Sequence, residues 1–272
     1  MKEVVSKPYW YVDLKWFFGI LFTLALTLTL SLSLANRLTE EKTAVDLSTV
    51  ALATLFSRDG GGLDDPKAVE EFKAKLKESD EELIRPIETI PAITISRDDV
   101  EKLSPRELRL KIFRQITEPL YNEGVDGAVK RFTDNPEEQK KLANDASLLR
   151  FLTKDTHEKI SSFLTIGIAV TVLFLIGLVF FSFGWGRLGN PGLILFVLGL
   201  PGAAFGLLIS NPPSNGDGGG LSSLPPEFGV AIAQQLKSVF GLVSLGGLTL
   251  LVVALVGSII SRRRRRIAKN SA

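Results

Sequence analysis

The chain offers few side chains with which to do chemistry, and their spacing argues against catalysis. His157 is the only histidine. A histidine metal site would need carboxylate partners that no local spacing supplies, and its place just ahead of an apolar run marks it as a polar residue in the first turn of a helix. Acids do occur in pairs, at Asp64-Asp65, Asp98-Asp99 and Glu137-Glu138. Each pair stands at an expected helix start, where orphan N–H groups and the helix dipole favour negative charge, so capping accounts for them better than acid/base work. Residues 58–65 lack the alternating acids of a calcium loop, and Gly60-Gly61-Gly62 lacks the preceding strand and following Gly-Lys-Ser/Thr of a phosphate loop. The serines have no histidine and acid in a recognised local setting. Cysteine is absent, which removes disulfides, thiolate metal sites and cysteine nucleophiles. The expectation is a protein that is not an enzyme and uses no cofactor and no metal.

The residues with a clear physical role are instead Arg262, Arg263, Arg264, Arg265 and Arg266, which abruptly end an apolar run. Such a cluster sets the topology of a membrane span by holding its end in the cytoplasm, and each arginine near an anionic lipid surface contributes about 1 kcal/mol of attraction. Without interleaved aromatic residues so short a tail does not read as a nucleic-acid site. The formal net charge of +2 conceals this local asymmetry.

A bilayer core needs roughly 20 apolar residues in a helix. Residues 16–35, 163–183, 192–210 and 239–260 meet that length without Asp, Glu, Lys, Arg or His, so the predicted fold class is an all-α membrane protein with four transmembrane helices. Counting back from the arginines, the basic tail 261–272, the turn 184–191 with Arg187, and the N-terminal stretch 1–15 all fall inside. Residues 36–158, expected to form a mainly helical extracytoplasmic domain, and residues 211–238, a loop with an interfacial helix, fall outside. Tyr9, Trp10, Tyr11 and Trp16 suit the inner interface. Ser33-Leu34-Ala35 fits a signal peptidase site, but the apolar stretch before it is longer than a signal peptide needs, so an uncleaved anchor is expected. Lack of cysteine and of any Asn-x-Ser/Thr acceptor favours a prokaryotic plasma membrane. Small residues mark helix packing: Gly202 and Gly206 form a GxxxG motif, while Gly246 and Gly247 thin the fourth span. Packing within the chain is the expected use of these glycines, and a homo-oligomer face the alternative.

In region 36–158 the helix signals are local. Residues 65–77 carry an apolar stripe, Ser104-Pro105-Arg106-Glu107 is a capping box, and Leu108, Ile112, Ile116 and Leu120 recur every fourth residue. Pro119 and Gly124 are expected to end that helix, Asn135-Pro136 to start the next, and 155–158 to lead a helix into the second span. Residues 87–96 have strand character.

The layout of one span, a large outer region and then three spans, with both ends inside, resembles permease subunits of the FtsX and MacB type. That resemblance implies a cytoplasmic ATPase partner, although the short inner turn around Arg187 leaves little chain for a coupling helix. Absence of ionisable residues from the spans argues against an ion pathway. The expected role is therefore an interaction, assembly or sensing subunit, with the lipid bilayer and a further protein as partners. The alternative is a permease-like subunit of a transport complex.

Overall fold

The computed structural model describes residues 9–58, 83–84, 93–210 and 226–270. The expected helix at 65–77, the Asp64-Asp65 pair, the three glycines at 60–62 and most of the expected strand at 87–96 lie outside the described residues. Within them the chain is helical almost throughout. In order come α1 (Tyr9–Leu38), α2 (Glu41–Arg58), β1 (Leu83–Ile84), β2 (Ile95–Ser96), α3 (Arg97–Lys102), α4 (Pro105–Phe132), α5 (Pro136–Asp145), a 3-10 turn (Ser147–Leu152), α6 (Lys154–Phe181), α7 (Gly186–Ser210) and α8 (Pro226–Asn270). Four of these helices, α1, α6, α7 and α8, are long and apolar enough to cross a membrane. The chain divides into two compact units, one of residues 1–36, 160–214 and 232–272, the other of residues 37–159 and 215–231.

The first unit has an apolar centre in which Phe22, Leu26 and Leu30 of α1 meet Leu178 of α6 and Val239 of α8. Its outward faces are equally apolar: Leu24, Leu28, Phe163, Leu173, Leu208 and Leu242 are all well exposed, as a lipid-facing surface requires. Several hydroxyl groups on these helices bond the backbone of their own helix. Thr23 donates to Gly19 O, Thr27 to Thr23 O and Ser31 to Thr27 O, so the hydroxyl face of α1 is spent on its own backbone. A long-range polar contact in the apolar centre joins the buried hydroxyls of Thr29 and Thr171 at 2.8 Å.

The second unit is built on α2 packed against α4. Ser104 caps α4 in a complete capping box with Glu107, and Pro105 occupies the first turn. Burial then follows the four-residue stripe: Leu108, Ile112 and Leu120 are buried with Phe113, and Ile116 is half-buried. Ile93 and Ile95 cover this stripe on one side, where β2 pairs antiparallel with β1, Ile84 opposite Ile95. The interface of α2 and α4 is unexpectedly polar at its middle, where Thr49 and Thr117 share a 2.7 Å hydrogen bond. Each hydroxyl also reaches a carbonyl of its own helix, Thr49 Oγ1 lying 2.7 Å from Val45 O and Thr117 Oγ1 3.3 Å from Arg114 O.

Pro119 does not end α4. It sits inside the helix, and the break comes at Gly124, whose φ of 74° and ψ of 175° interrupt the helical path before it resumes to Phe132. Only glycine takes that conformation without a steric penalty. The resumed segment buries Val125, Ala128 and Val129 against Leu149 and Ala143. Asn135 caps α5 through Glu137 N, as its sequence promised.

Two measurements test this unit in the full-length protein. Ile112→Ala should destabilise it by about 2 to 5 kcal/mol, read as a fall in the urea concentration at which trypsin cuts residues 93–150, whereas Lys140→Ala at an exposed position should leave that midpoint unchanged. Acid should act through the caps. Lys111 and Ser96 hold the Asp99 carboxyl below its ordinary range, and Ser104 does the same for Glu107. A lowered folded-state value stabilises fully above the unfolded value and is lost as pH falls through the folded one. Resistance to pepsin, which is active in acid, should therefore decline below about pH 4, and the decline should be shallower in Asp99→Asn with Glu107→Gln.

Candidate functional site

Three groups of residues are candidates for function, and they differ in kind. The first is a seam between α7 and α8. A Cβ placed on Gly199 would come 2.6 Å from Ser244 N, one on Gly192 would come 3.0 Å from Gly247 O, and one on Gly206 would come 3.0 Å from Ala233 O. A Cβ on Gly202 would enter the ring of Phe240, and one on Gly247 would overlap Phe196 N. Gly189 opposite Ala254 continues the same antiparallel register. The contact positions 189, 192, 196, 199, 202 and 206 are separated by steps of three or four, the spacing that keeps one narrow stripe of a helix on its partner. Gly246 stands apart, since a Cβ there meets nothing within 4 Å. Of the four glycines singled out by sequence, Gly202, Gly206 and Gly247 lie in the seam and Gly246 faces away from it.

The second group gathers where α1 begins, α6 ends, α7 begins and α8 approaches its arginines. Tyr11 donates to Phe180 O at 3.1 Å and packs on Phe181 and Phe183. Trp185 covers Gly257 and donates to Ser261 Oγ at 2.8 Å. Ser182 is fully buried, and its carbonyl accepts from Arg187 Nε at 3.1 Å while Asn190 Nδ2 donates to its hydroxyl. Arg187 thus caps the carboxyl end of α6, where a cation is favoured. Gly184, with φ of 49°, makes the reversal that a four-residue connection between Phe181 and Gly186 demands. The arginines are not a loose tail, because α8 remains helical to Asn270. Arg262, Arg263, Arg264 and Arg266 are exposed, and the backbone at Arg265 continues the helix.

The third group was not visible in sequence. On the second unit a groove of about 600 Å³ is lined by four carboxylates, Glu40, Glu41, Glu118 and Glu158, and three cations, Lys42, Arg114 and Lys154. Arg114 is held by Asp46 at 2.7 Å and Glu118 at 3.4 Å. Tyr121, Asn122, His157 and the apolar Val45 complete the lining. His157 Nδ1 lies 3.1 Å from Thr39 Oγ1, so the histidine belongs to this groove as well as to the first turn of α6. Tyr121 is 4% exposed, wedged among Ala44, Val45 and Leu152. Burial pushes its phenol above the usual value, with Glu41, Glu158 and Glu40 adding to the shift. Among the described residues no group of histidine and acidic side chains is placed to hold a metal ion. The pairs Asp98-Asp99 and Glu137-Glu138 lie elsewhere and are engaged as caps and ion pairs: Asp98 with Lys102, Asp99 with Lys111 and Ser96, and Glu138 with Thr133.

No protein-family model matches the chain, and no curated protein or solved structure matches it either.

The seam makes a sharp distinction between neighbouring glycines. Gly247→Leu should separate α7 from α8 and lower the melting temperature of the purified protein in detergent by several degrees, whereas Gly246→Leu should leave it within a degree or so. Equal effects of the two substitutions would refute the register.

Proposed function

We propose that this chain is a plasma-membrane protein of a prokaryote that crosses the bilayer four times and acts, without catalysis of its own, as an interaction, assembly or sensing subunit. Its helical unit of residues 37–159 faces away from the cytoplasm and receives the partner. The observation that carries this reading is the division of labour between the two units. One has apolar outer faces and ionisable residues concentrated near one set of helix ends. The other has an ordinary aliphatic core beneath a surface rich in charge and an open, mixed-charge groove.

Orientation follows from the same distribution. Lys15, Arg187 and the five arginines belong to the helix ends that Tyr11, Phe180, Trp185 and Ser261 draw together, and positive charge near span ends is retained in the cytoplasm. Trp10 and Trp16 are exposed at that level, with Lys15 Nζ 5.6 Å from the Trp16 ring, as interfacial anchors are. The permease-like reading is less well supported, because the connection between α6 and α7 is four residues long and offers an ATPase no coupling helix to grip.

One experiment addresses both sidedness and partner. The chain has no cysteine, so Lys140→Cys and Ser271→Cys each give a single site for a membrane-impermeant maleimide bearing a photo-crosslinker. In intact cells Lys140→Cys should be labelled and, on illumination, captured with a discrete protein, while Ser271→Cys should react only after the cells are opened. Labelling of Ser271→Cys alone in intact cells would invert the topology. Co-purification of a cytoplasmic ATPase with no crosslink at position 140 would replace the adaptor reading with the permease.

A further inference from the structure

The membrane unit carries positive charge that its own side chains do not neutralise. Among the described residues of that unit Asp13 is the sole carboxylate, set against Lys15, Arg187, Lys237, Lys269 and the five arginines at 262–266. Arg262, Arg263, Arg264 and Arg266 are exposed, and none of them forms an ion pair among the described residues. The arginine segment is also held in place. Helix α8 continues through it to Asn270, and Trp185 Nε1 donates to Ser261 Oγ at 2.8 Å, one residue before the first arginine. The other two tryptophans belong to the same end of the unit. Trp10 lies against Tyr11, which stacks on Phe183 two residues before Trp185, and Trp16 is 66% exposed just beyond them on α1.

We infer that this end of the folded protein selects anionic phospholipids from the surrounding bilayer, with Arg262, Arg263, Arg264 and Arg266 meeting the headgroup phosphates. Depth identifies the partner. Val256, Ile259 and Ile260 are exposed on the turn just before the arginines, so acyl chains surround α8 up to that point. At 1.5 Å per residue Arg262 stands about 3 Å further along the axis, at the level of the headgroups. Exposed tryptophans favour the same level. A soluble acidic protein or a nucleic acid would have to displace lipid headgroups to reach guanidinium groups there. Charge selects among the lipids: a zwitterionic headgroup offsets its own phosphate, whereas an anionic one leaves it for a guanidinium, whose planar fork matches phosphate oxygens. Topology setting by arginine acts while the chain enters the membrane and demands no lipid preference afterwards, so a lasting preference is a separate property. It depends on the four helices crossing a bilayer, and on neither the sidedness of the protein nor a partner for residues 37–159.

Intrinsic fluorescence reads this end alone, because Trp10, Trp16 and Trp185 are the three tryptophans of the chain. The full-length protein is purified and reconstituted into phosphatidylcholine vesicles in which a minor share of the lipid is replaced by brominated phosphatidylglycerol or, in a matched series, by brominated phosphatidylcholine. Bromine quenches the indoles of a protein whose lipid shell it enters. The quenching curves should give phosphatidylglycerol a relative association constant about fivefold above phosphatidylcholine at low salt, the factor that corresponds to the attraction of one arginine to an anionic surface. The ratio should fall to about one in a variant carrying Arg262→Gln, Arg263→Gln, Arg264→Gln and Arg266→Gln, and should shrink in the wild type as ionic strength rises from about 0.01 M to about 1 M. The salt series needs only the wild-type chain, so it decides the matter even if the fourfold variant fails to insert. Equal quenching by the two lipids at low salt, or a preference that neither the variant nor high salt reduces, would overturn the proposal.

Discussion

Close approach of the α7 and α8 backbones is the constraint on which the membrane unit depends. Between helices surrounded by lipid, leucine gains nothing by exchanging a lipid tail for another leucine, so association rests on van der Waals contact at short range. Short range requires small residues along a continuous stripe. Gly192, Gly199 and Gly206 provide it on α7, and Ala233, Ser244, Gly247 and Ala254 answer on α8. The α1 and α6 pair uses another device. Phe18 fills the space over Gly177 and stacks on Phe181, and Thr29 bonds Thr171 across the contact. One pair is held by backbone proximity, the other by an aromatic knob and a hydroxyl pair.

The second unit obeys a different solvent. Its core is assembled from aliphatic side chains that water expels, and its helix ends are fastened by Ser96, Ser104 and Asn135, each satisfying N–H groups that the helix cannot. The Thr49 and Thr117 pair is an exception to the apolar interior. A single hydrogen-bonded hydroxyl pair between α2 and α4 favours one axial alignment of the two helices, because sliding either would break that bond and leave each hydroxyl only the carbonyl of its own helix.

Sequence legibility tracked the range of the interactions. Four apolar helices, the capping box at Ser104, the cap at Asn135 and the stripe Leu108, Ile112, Leu120 were readable because each signal lies within one turn or one helix face. Pro119 misled, because proline is a helix breaker on average, yet the flanking residues here bury well enough to retain it and leave the break to Gly124. The seam was half legible. A GxxxG pattern marks Gly202 and Gly206, but the contact stripe mixes steps of three and four, which takes in Gly192 and Gly199, and Gly246 on the facing helix turns outward. The groove was not legible at all, since Glu40, Tyr121 and His157 are remote in the chain and come together only through α2 packing on α4 and the start of α6.

Helix α8 runs for 45 residues, about 68 Å at 1.5 Å per residue, more than twice the thickness of a hydrocarbon core. Its arginines occupy five successive positions in that rod, and five positions at 100° apiece pass through more than a full circle. Whatever its angle about its own axis, the helix presents guanidinium-bearing positions on every side at one depth. Such a collar resists axial displacement into the bilayer yet places no restraint on spin. In a bilayer such a collar would fix the depth of α8, and its azimuth is left to side-chain packing: the glycine seam, Val239 against α1 and α6, and the Trp185 bond to Ser261.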